Sequence, residues 1–174
     1  MTSRFPGIDT RPPGPANVQQ HLAAARGLRS LLTERSRMHS RLMKIDAIVL
    51  DCSDAAPLAR FWAAALGWRI APYDETERAR LAAAGIDDPE DDPTVLVEPP
   101  AGSGLPRLFL AEVPEPKSSK NRMHLDLQAS TSLDVEAARL QSIGARIIRR
   151  VEEEHGVWIV MADPQDNEFC VVEP

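Results

Sequence analysis

One order of elements occurs twice in this chain, and that repetition constrains the fold more than any other feature. Residues 45–52 (IDAIVLDC) are short, apolar and rich in branched side chains, which predicts a strand. Asp54 is placed to cap a helix over 55–66, in which Leu58, Phe61, Trp62, Ala65 and Leu66 form one apolar stripe. Gly67 closes that helix as a left-handed cap. Strands follow at 68–71, 94–97 and 107–111, with a charged helix at 74–85, an acidic loop at 86–93 and a turn at 99–104. The order then returns. A strand at 123–128 leads to a helix at 133–143, capped by Gly144, and to strands at 145–150, 157–161 and 168–172. Gly67 and Gly144 stand 77 residues apart, and the same offset sets Leu50 on Leu127 and Ser53 on Ser130. An internal duplication accounts for this.

A half of about sixty-five residues is small for an independent core. Two halves joined through their sheets would share a core and leave one curved sheet face uncovered, where a site can form. Side chains alternate along a strand. Leu125, Leu127 and Ala129 make the helix-facing set of the second half, which turns His124, Asp126 and Gln128 to the open face. The offset puts Ala47, Val49 and Asp51 on the equivalent face of the first half, opposite Ile48, Leu50 and Cys52. Glu168, Cys170 and Val172 share a face of the last strand, so His124 and Glu168 are expected to line the open face together.

Three stretches carry a family resemblance. Asp51-Cys52-Ser53-Asp54 followed by residues 58–68 (LARFWAAALGW) resembles the opening of a glyoxalase-like domain of the vicinal oxygen chelate superfamily. Residues 116–127 (PKSSKNRMHLDL) resemble that subgroup's linker and second opening strand, and residues 162–170 (ADPQDNEFC) its closing turn. The resemblance covers residues 44–174. It implies an α+β fold in which two βαβββ modules pair into a curved, partly open mixed β-sheet, of the glyoxalase/bleomycin-resistance/dihydroxybiphenyl-dioxygenase kind. Module one is expected at 44–113, a linker at 114–121 and module two at 122–174. The resemblance is weak for reaction, because one fold hosts many functions.

Metal-using members of the superfamily take ligands from the first and last strands of each half. His124 and Glu168 match the second-half pair. The first-strand position of the first half is Ala47, and the last-strand candidates are Arg107, Phe109 and Ala111, none a usual ligand. Two protein ligands would hold a divalent ion (Zn, Ni, Mn or Fe) weakly. Asp51 offers a substitute carboxylate deeper on the same face. The resemblance thus implies a small-molecule site in the sheet groove, with His124 and Glu168 as catalytic or metal-holding residues. Asp51, Asp126, Gln128, Arg107, Phe109 and Trp158 are the ligand-binding candidates.

Each of these residues also has a plain structural reading. His124 suits a hydrogen bond in a half-buried sheet, Glu168 suits the backbone N–H groups of a turn, and Asp51 suits the helix start. Asp126 suits an ion pair with Arg122 or Lys120. Lys117, Lys120 and Arg122 suit either an anionic ligand or a solvated linker. Phe61 and Trp62 belong to the core, the face taken by Trp158 is left open by periodicity, and the run Asp87 to Asp92 reads as a solvated loop.

Charge separates the rest of the chain from this domain. Of 174 residues, 1–44 hold eight basic and two acidic side chains, whereas 45–174 hold twelve basic and twenty-four acidic ones. An acidic body is a poor partner for phosphate backbones, so nucleic acid is excluded for the domain. Residues 1–16 carry four prolines and two glycines and predict a disordered arm. Residues 17–43 predict a basic amphipathic helical extension, weakened near Gly27, that suits a partner, an anionic surface or packing on the body. Met43 directly precedes the first strand, and a start there would leave only the acidic domain.

No apolar run approaches the ~20 residues of a membrane span, and the N-terminus lacks a signal-peptide pattern. Cys52 and Cys170 make no disulfide framework. The expectation is a cytoplasmic protein with reduced thiols, a homodimer that binds a small molecule. Three functions compete: a metal-assisted enzyme of lyase or isomerase type, a metal-independent drug- or metabolite-sequestering protein of the bleomycin-resistance type, and an interaction module built on the basic helix.

Overall fold

The computed structural model describes residues 43–174; the expected arm and helical extension fall outside the described residues apart from Met43. Ile45–Pro174 forms one unit. Its elements are β1 (Ala47–Cys52), α1 (Ala55–Leu66), β2 (Arg69–Ile70), α2 (Glu75–Ala83), a short 3-10 turn (Pro89–Asp91), β3 (Thr94–Glu98) and β4 (Arg107–Glu112). The second set is β5 (Asp126–Gln128), α3 (Leu133–Ser142), β6 (Arg146–Glu153), β7 (Gly156–Ala162) and β8 (Glu168–Val172). The duplicated order is therefore real. Each half builds a four-stranded mixed sheet, β1-β4-β3-β2 and β5-β8-β7-β6. In both, the first and last strands run parallel and the remaining pairs antiparallel.

The two sheets share a core made by one helix from each half. Ala55, Leu58, Ala59 and Trp62 recur at helical spacing and are buried on α1, while Leu133, Ala137 and Leu140 do the same on α3. Ile48, Leu50, Cys52, Leu125, Leu127 and Ala129 pack toward this core, as alternation requires. Gly67 closes α1 at φ 65, a left-handed position that strains any side chain. Gly144 follows α3 at φ 114, and a Cβ there would press on Pro164 Cγ at 3.3 Å.

Hydrogen-bonded strand pairing stays within each module, so side chains make the junction. Trp62 of α1 packs edge-on against Phe169 of β8, with ring centroids 5.3 Å apart, and against Phe61 at 5.5 Å. Trp62 Nε1 donates to Asp163 Oδ2 at 3.1 Å in a buried setting. Gln165 accepts from Ser53 N at 2.7 Å and donates to Asp54 O at 2.6 Å. Arg139 of α3 donates to the carbonyls of Ala64 and Ala65, the unpaired end of α1.

Two local expectations need correction. Asp54 sits at the N-cap of α1 but its side chain makes no capping bond; the carboxylate of Glu112 instead accepts from Ala55 N at 3.1 Å. The acidic run is not a solvated loop throughout. Asp92 is 1% exposed, and it accepts from Arg80 Nη2 at 2.7 Å, Tyr73 Oη at 3.2 Å and Thr94 N at 3.0 Å. Those bonds fasten α2 to the start of β3 and satisfy a carboxylate that would otherwise be costly to bury.

Candidate functional site

The expected site residues fall into three neighbouring places. On the first sheet, register pairs Ala47 with Arg107, Val49 with Phe109 and Asp51 with Ala111 on β1 and β4, and Leu96 with Phe109 on β3 and β4. This open face floors a cavity of about 660 Å3. Phe109 and Leu96 form its apolar base, and Arg69, Tyr73, Arg80, Asp92, Glu98 and Arg107 stand around it. The Arg107 guanidinium lies 5.6 Å from the Phe109 ring centroid and is paired with Asp46. Arg69 is paired with Glu98 at 2.8 Å. Burial and the adjacent Asp92 push the Tyr73 hydroxyl up to about 12, so it stays a neutral donor. Arg107 and Phe109 were foreseen here. Tyr73 and Arg80 were not, although the chain's single tyrosine directly precedes the Asp74 cap that starts α2.

The second place is the junction of β1 with the segment entering β5. Asp51 lines a cavity of about 520 Å3 together with Lys117 and Lys120 of the linker and Arg122 beyond it. Beside it, His124 and Glu168 share a space of about 40 Å3 with Val49, Leu50 and Met123. That volume suits a water or an ion and excludes a metabolite. The structure thus brings His124 and Glu168 to one cavity, but the carboxylate is already engaged. Glu168 Oε2 accepts from Asn121 N at 2.9 Å and from Lys117 Nζ at 3.1 Å. Burial alone would raise the Glu168 carboxyl; the Asn121 N–H and the Lys117 ammonium outweigh it and hold the group below the ordinary glutamate value.

The third place is the open face of the second sheet. Asp126 stands opposite Cys170 on the parallel pair β5 and β8, and Val172 stands between Gln128 and Trp158. Register therefore decides what periodicity left open: Trp158 shares the open face with Gln128 and Cys170, while its neighbours Ile159 and Met161 are buried on the helix side. Strand β5 begins at Asp126, so His124 lies just ahead of it. His124 Nε2 is 3.2 Å from Asp126 Oδ1, which replaces the expected pairing of Asp126 with Arg122 or Lys120. Burial, then the Asp126 carboxylate, raises the Cys170 thiol above its ordinary value.

A family model described as a glyoxalase-like domain matches residues 47–172. The chain belongs to that family. Among solved structures, a glyoxalase/bleomycin resistance protein/dioxygenase family enzyme from Burkholderia phytofirmans PsJN superposes on this glyoxalase-like domain with a TM-score of 0.55 at 14% identity, covering 75% of this chain and 98% of that one. A glyoxalase-related enzyme from Fulvimarina pelagi gives 0.53 at 16% identity, over 76% and 89%. A mutant of the fosfomycin resistance protein FosX from Listeria monocytogenes, complexed with Mn(II) and 1S,2S-dihydroxypropylphosphonic acid, gives 0.53 at 13% identity, over 75% and 90%. Identities this low show the shared vicinal oxygen chelate fold. No curated protein matches the chain in sequence.

The donors can now be weighed against a divalent ion of the kind such folds hold. The internal repeat relates His124 to Ala47, and strand register places Arg107 beside Ala47. A methyl group and a guanidinium supply no ligand from the first half. From the second half, Glu168 is bound to Lys117 and Asn121. The set expected between the two halves is incomplete.

One further residue carries the frame. Asp163 is buried and accepts from Trp62 Nε1 as well as from Gln165 N and Asn167 N at 2.9 Å each. Burial raises its carboxyl above the ordinary aspartate value despite these bonds. The sequence signal was the Asp-Pro turn itself, read as a turn and not as an anchor for Trp62. Cys170 was placed on the open face but not read as a donor.

Proposed function

We propose that this glyoxalase-like protein binds a small organic molecule in the groove over its first sheet, in the metal-independent manner of a sequestering protein. The observation that supports this reading most is the cavity of about 660 Å3 over Phe109 and Leu96, a size suited to a drug- or metabolite-sized ligand. Its lining carries three arginines against Asp74, Glu77, Asp92 and Glu98. Those charges oppose one another, so the groove favours a neutral or cationic molecule with a flat apolar body over a small anion. Phe109 offers a stacking surface. A homodimer in the cytoplasm belongs to the same reading, and light scattering after size-exclusion chromatography tests the dimer. Among the described residues no helix is long and apolar enough to cross a membrane.

A thermal-shift screen with aromatic metabolites and antibiotics tests the groove. The expected result is stabilisation by a subset of neutral or basic aromatic compounds, reduced in Phe109→Ala. A flat response across a broad panel refutes sequestering. The competing reading, a metal-assisted lyase or isomerase using His124 and Glu168, predicts stoichiometric metal after purification that Glu168→Ala removes.

A further inference from the structure

We propose that His124, Asp126 and Cys170 form a binding site for a borderline-soft divalent cation of the zinc and cobalt class, on the open face of the second sheet. One imidazole nitrogen, one carboxylate oxygen and the Cys170 sulfur lie within 4.8 Å of one another. Tetrahedral donors around one zinc-class ion stand about 3.4–3.8 Å apart, given bonds of about 2.0–2.3 Å. Closing that difference calls for side-chain adjustment, and the His124 and Asp126 side chains are 42% and 59% exposed. Their nearest approach is already 3.2 Å.

Strand geometry creates this cluster. The parallel register sets Asp126 beside Cys170, and the period of two sets His124 on the same face. Cys170 is 7% exposed and fixed in the middle of the β5-β8-β7 ladder. The sulfur therefore anchors an ion from below while solution supplies the remaining ligand. A mixed nitrogen, oxygen and sulfur set selects zinc-class ions over magnesium or calcium, which take oxygen ligands. Binding converts the Cys170 thiol to a metal-bound thiolate: the S–H bond breaks, the metal–sulfur bond forms, and one proton passes to solvent. Lys120 and Arg149 both act electrostatically on Cys170. They favour its thiolate, the form that holds a metal, while repelling the cation itself.

The site differs from a pair made by His124 and Glu168, because Glu168 is held by Lys117 and Asn121. Titration of the full chain with cobalt(II) alone separates the two. Wild type should develop thiolate-to-cobalt charge-transfer absorption in the near ultraviolet. Cys170→Ser should abolish that band, and His124→Ala or Asp126→Asn should weaken binding about tenfold or more. Cys52→Ser and Glu168→Gln should keep the band. Circular dichroism of each variant establishes folding, and Asp126→Asn supplies a near-isosteric check should Cys170→Ser misfold. No band in wild type at millimolar cobalt overturns the proposal. So does a band that survives Cys170→Ser, or one lost in Glu168→Gln.

Discussion

The two modules share one frame and differ on their open faces. Module one gives β2 only two residues and then spends residues 71–93 on α2 and a 3-10 turn before β3. Module two extends β6 over eight residues and turns through Glu154 and His155 straight into β7. The long connection brings Tyr73, Arg80 and Asp92 over the first sheet and makes a walled groove. The tight hairpin adds no such wall, and the second face instead carries His124, Asp126 and Cys170 with donor atoms within 4.8 Å of one another. Duplication thus fixed the helix-facing residues of both halves, while the faces turned away from the helices were free to diverge. One half offers shape and the other offers donors.

If that comparison holds, its largest lever is the residue that joins the halves. Trp62 is 2% exposed, packs on Phe169 and donates to Asp163. Trp62→Ala should cost about 3–5 kcal/mol, read by urea unfolding, and both the groove and the cobalt site should be lost in one transition. Two separated transitions would show that the modules are independently stable.

Asp92 tests the first face alone. Asp92→Ala removes three hydrogen bonds to a buried carboxylate and should cost about 2–3 kcal/mol. Organic-ligand binding should fall with it, because α2 loses its anchor, while cobalt binding by the second face should be unchanged. A parallel loss of both activities would mean that the faces are coupled.

The linker joins the modules through Glu168, and pH addresses that joint. Glu168 and Glu136 both titrate below the ordinary glutamate value, Glu136 because Ser130 and Arg139 donate to it. Each therefore contributes stability above about pH 4.3, lost as pH falls through the lowered native value. Asp163 has the opposite sign, since its raised carboxyl favours the folded state at acid pH and loses that contribution as pH rises. Glu168→Gln should cost about 1–2 kcal/mol at neutral pH and lose less stability than wild type on acidification from about pH 5. Chemical denaturation at several pH values measures both.

Much of the frame was legible because it rests on patterns of period two and period 3.6. Leu125, Leu127 and Ala129 had to face a helix, and α1 announced its stripe from Leu58 to Leu66. What was not legible depends on how far a loop reaches. Asp92 looks like its neighbours Asp87, Asp88 and Asp91 in sequence, and only the return of α2 onto β3 buries it. Asp126 reads in sequence as a ligand-binding residue or as an ion-pair partner of Arg122 or Lys120, whereas strand pairing brings Cys170 beside it and His124 Nε2 lies 3.2 Å from its carboxylate. Glu168 reads in sequence as facing an open groove, but the linker's Lys117 and Asn121 bind its carboxylate beside a space of only about 40 Å3. Local pattern determines a side chain's face, whereas its partners depend on chain segments far away in sequence.

The smallest effect separates buried from exposed anchoring of the module-one connection. Arg60 on α1 reaches Glu90 of the 3-10 turn, its Nη1 lying 2.6 Å from Oε2 and 2.9 Å from Oε1, with both side chains more than half exposed. In water such a pair is worth little, because screening and side-chain ordering offset the attraction. Arg60→Ala should therefore cost no more than about 0.5 kcal/mol, and the difference should vanish in 1 M salt, where the screening length is about 3 Å. The buried Asp92 bonds should keep their full effect at the same salt. Were Arg60→Ala to cost as much as Asp92→Ala, the connection would be held from its outer side, and the groove would owe its shape to a surface ion pair and not to the carboxylate beneath it.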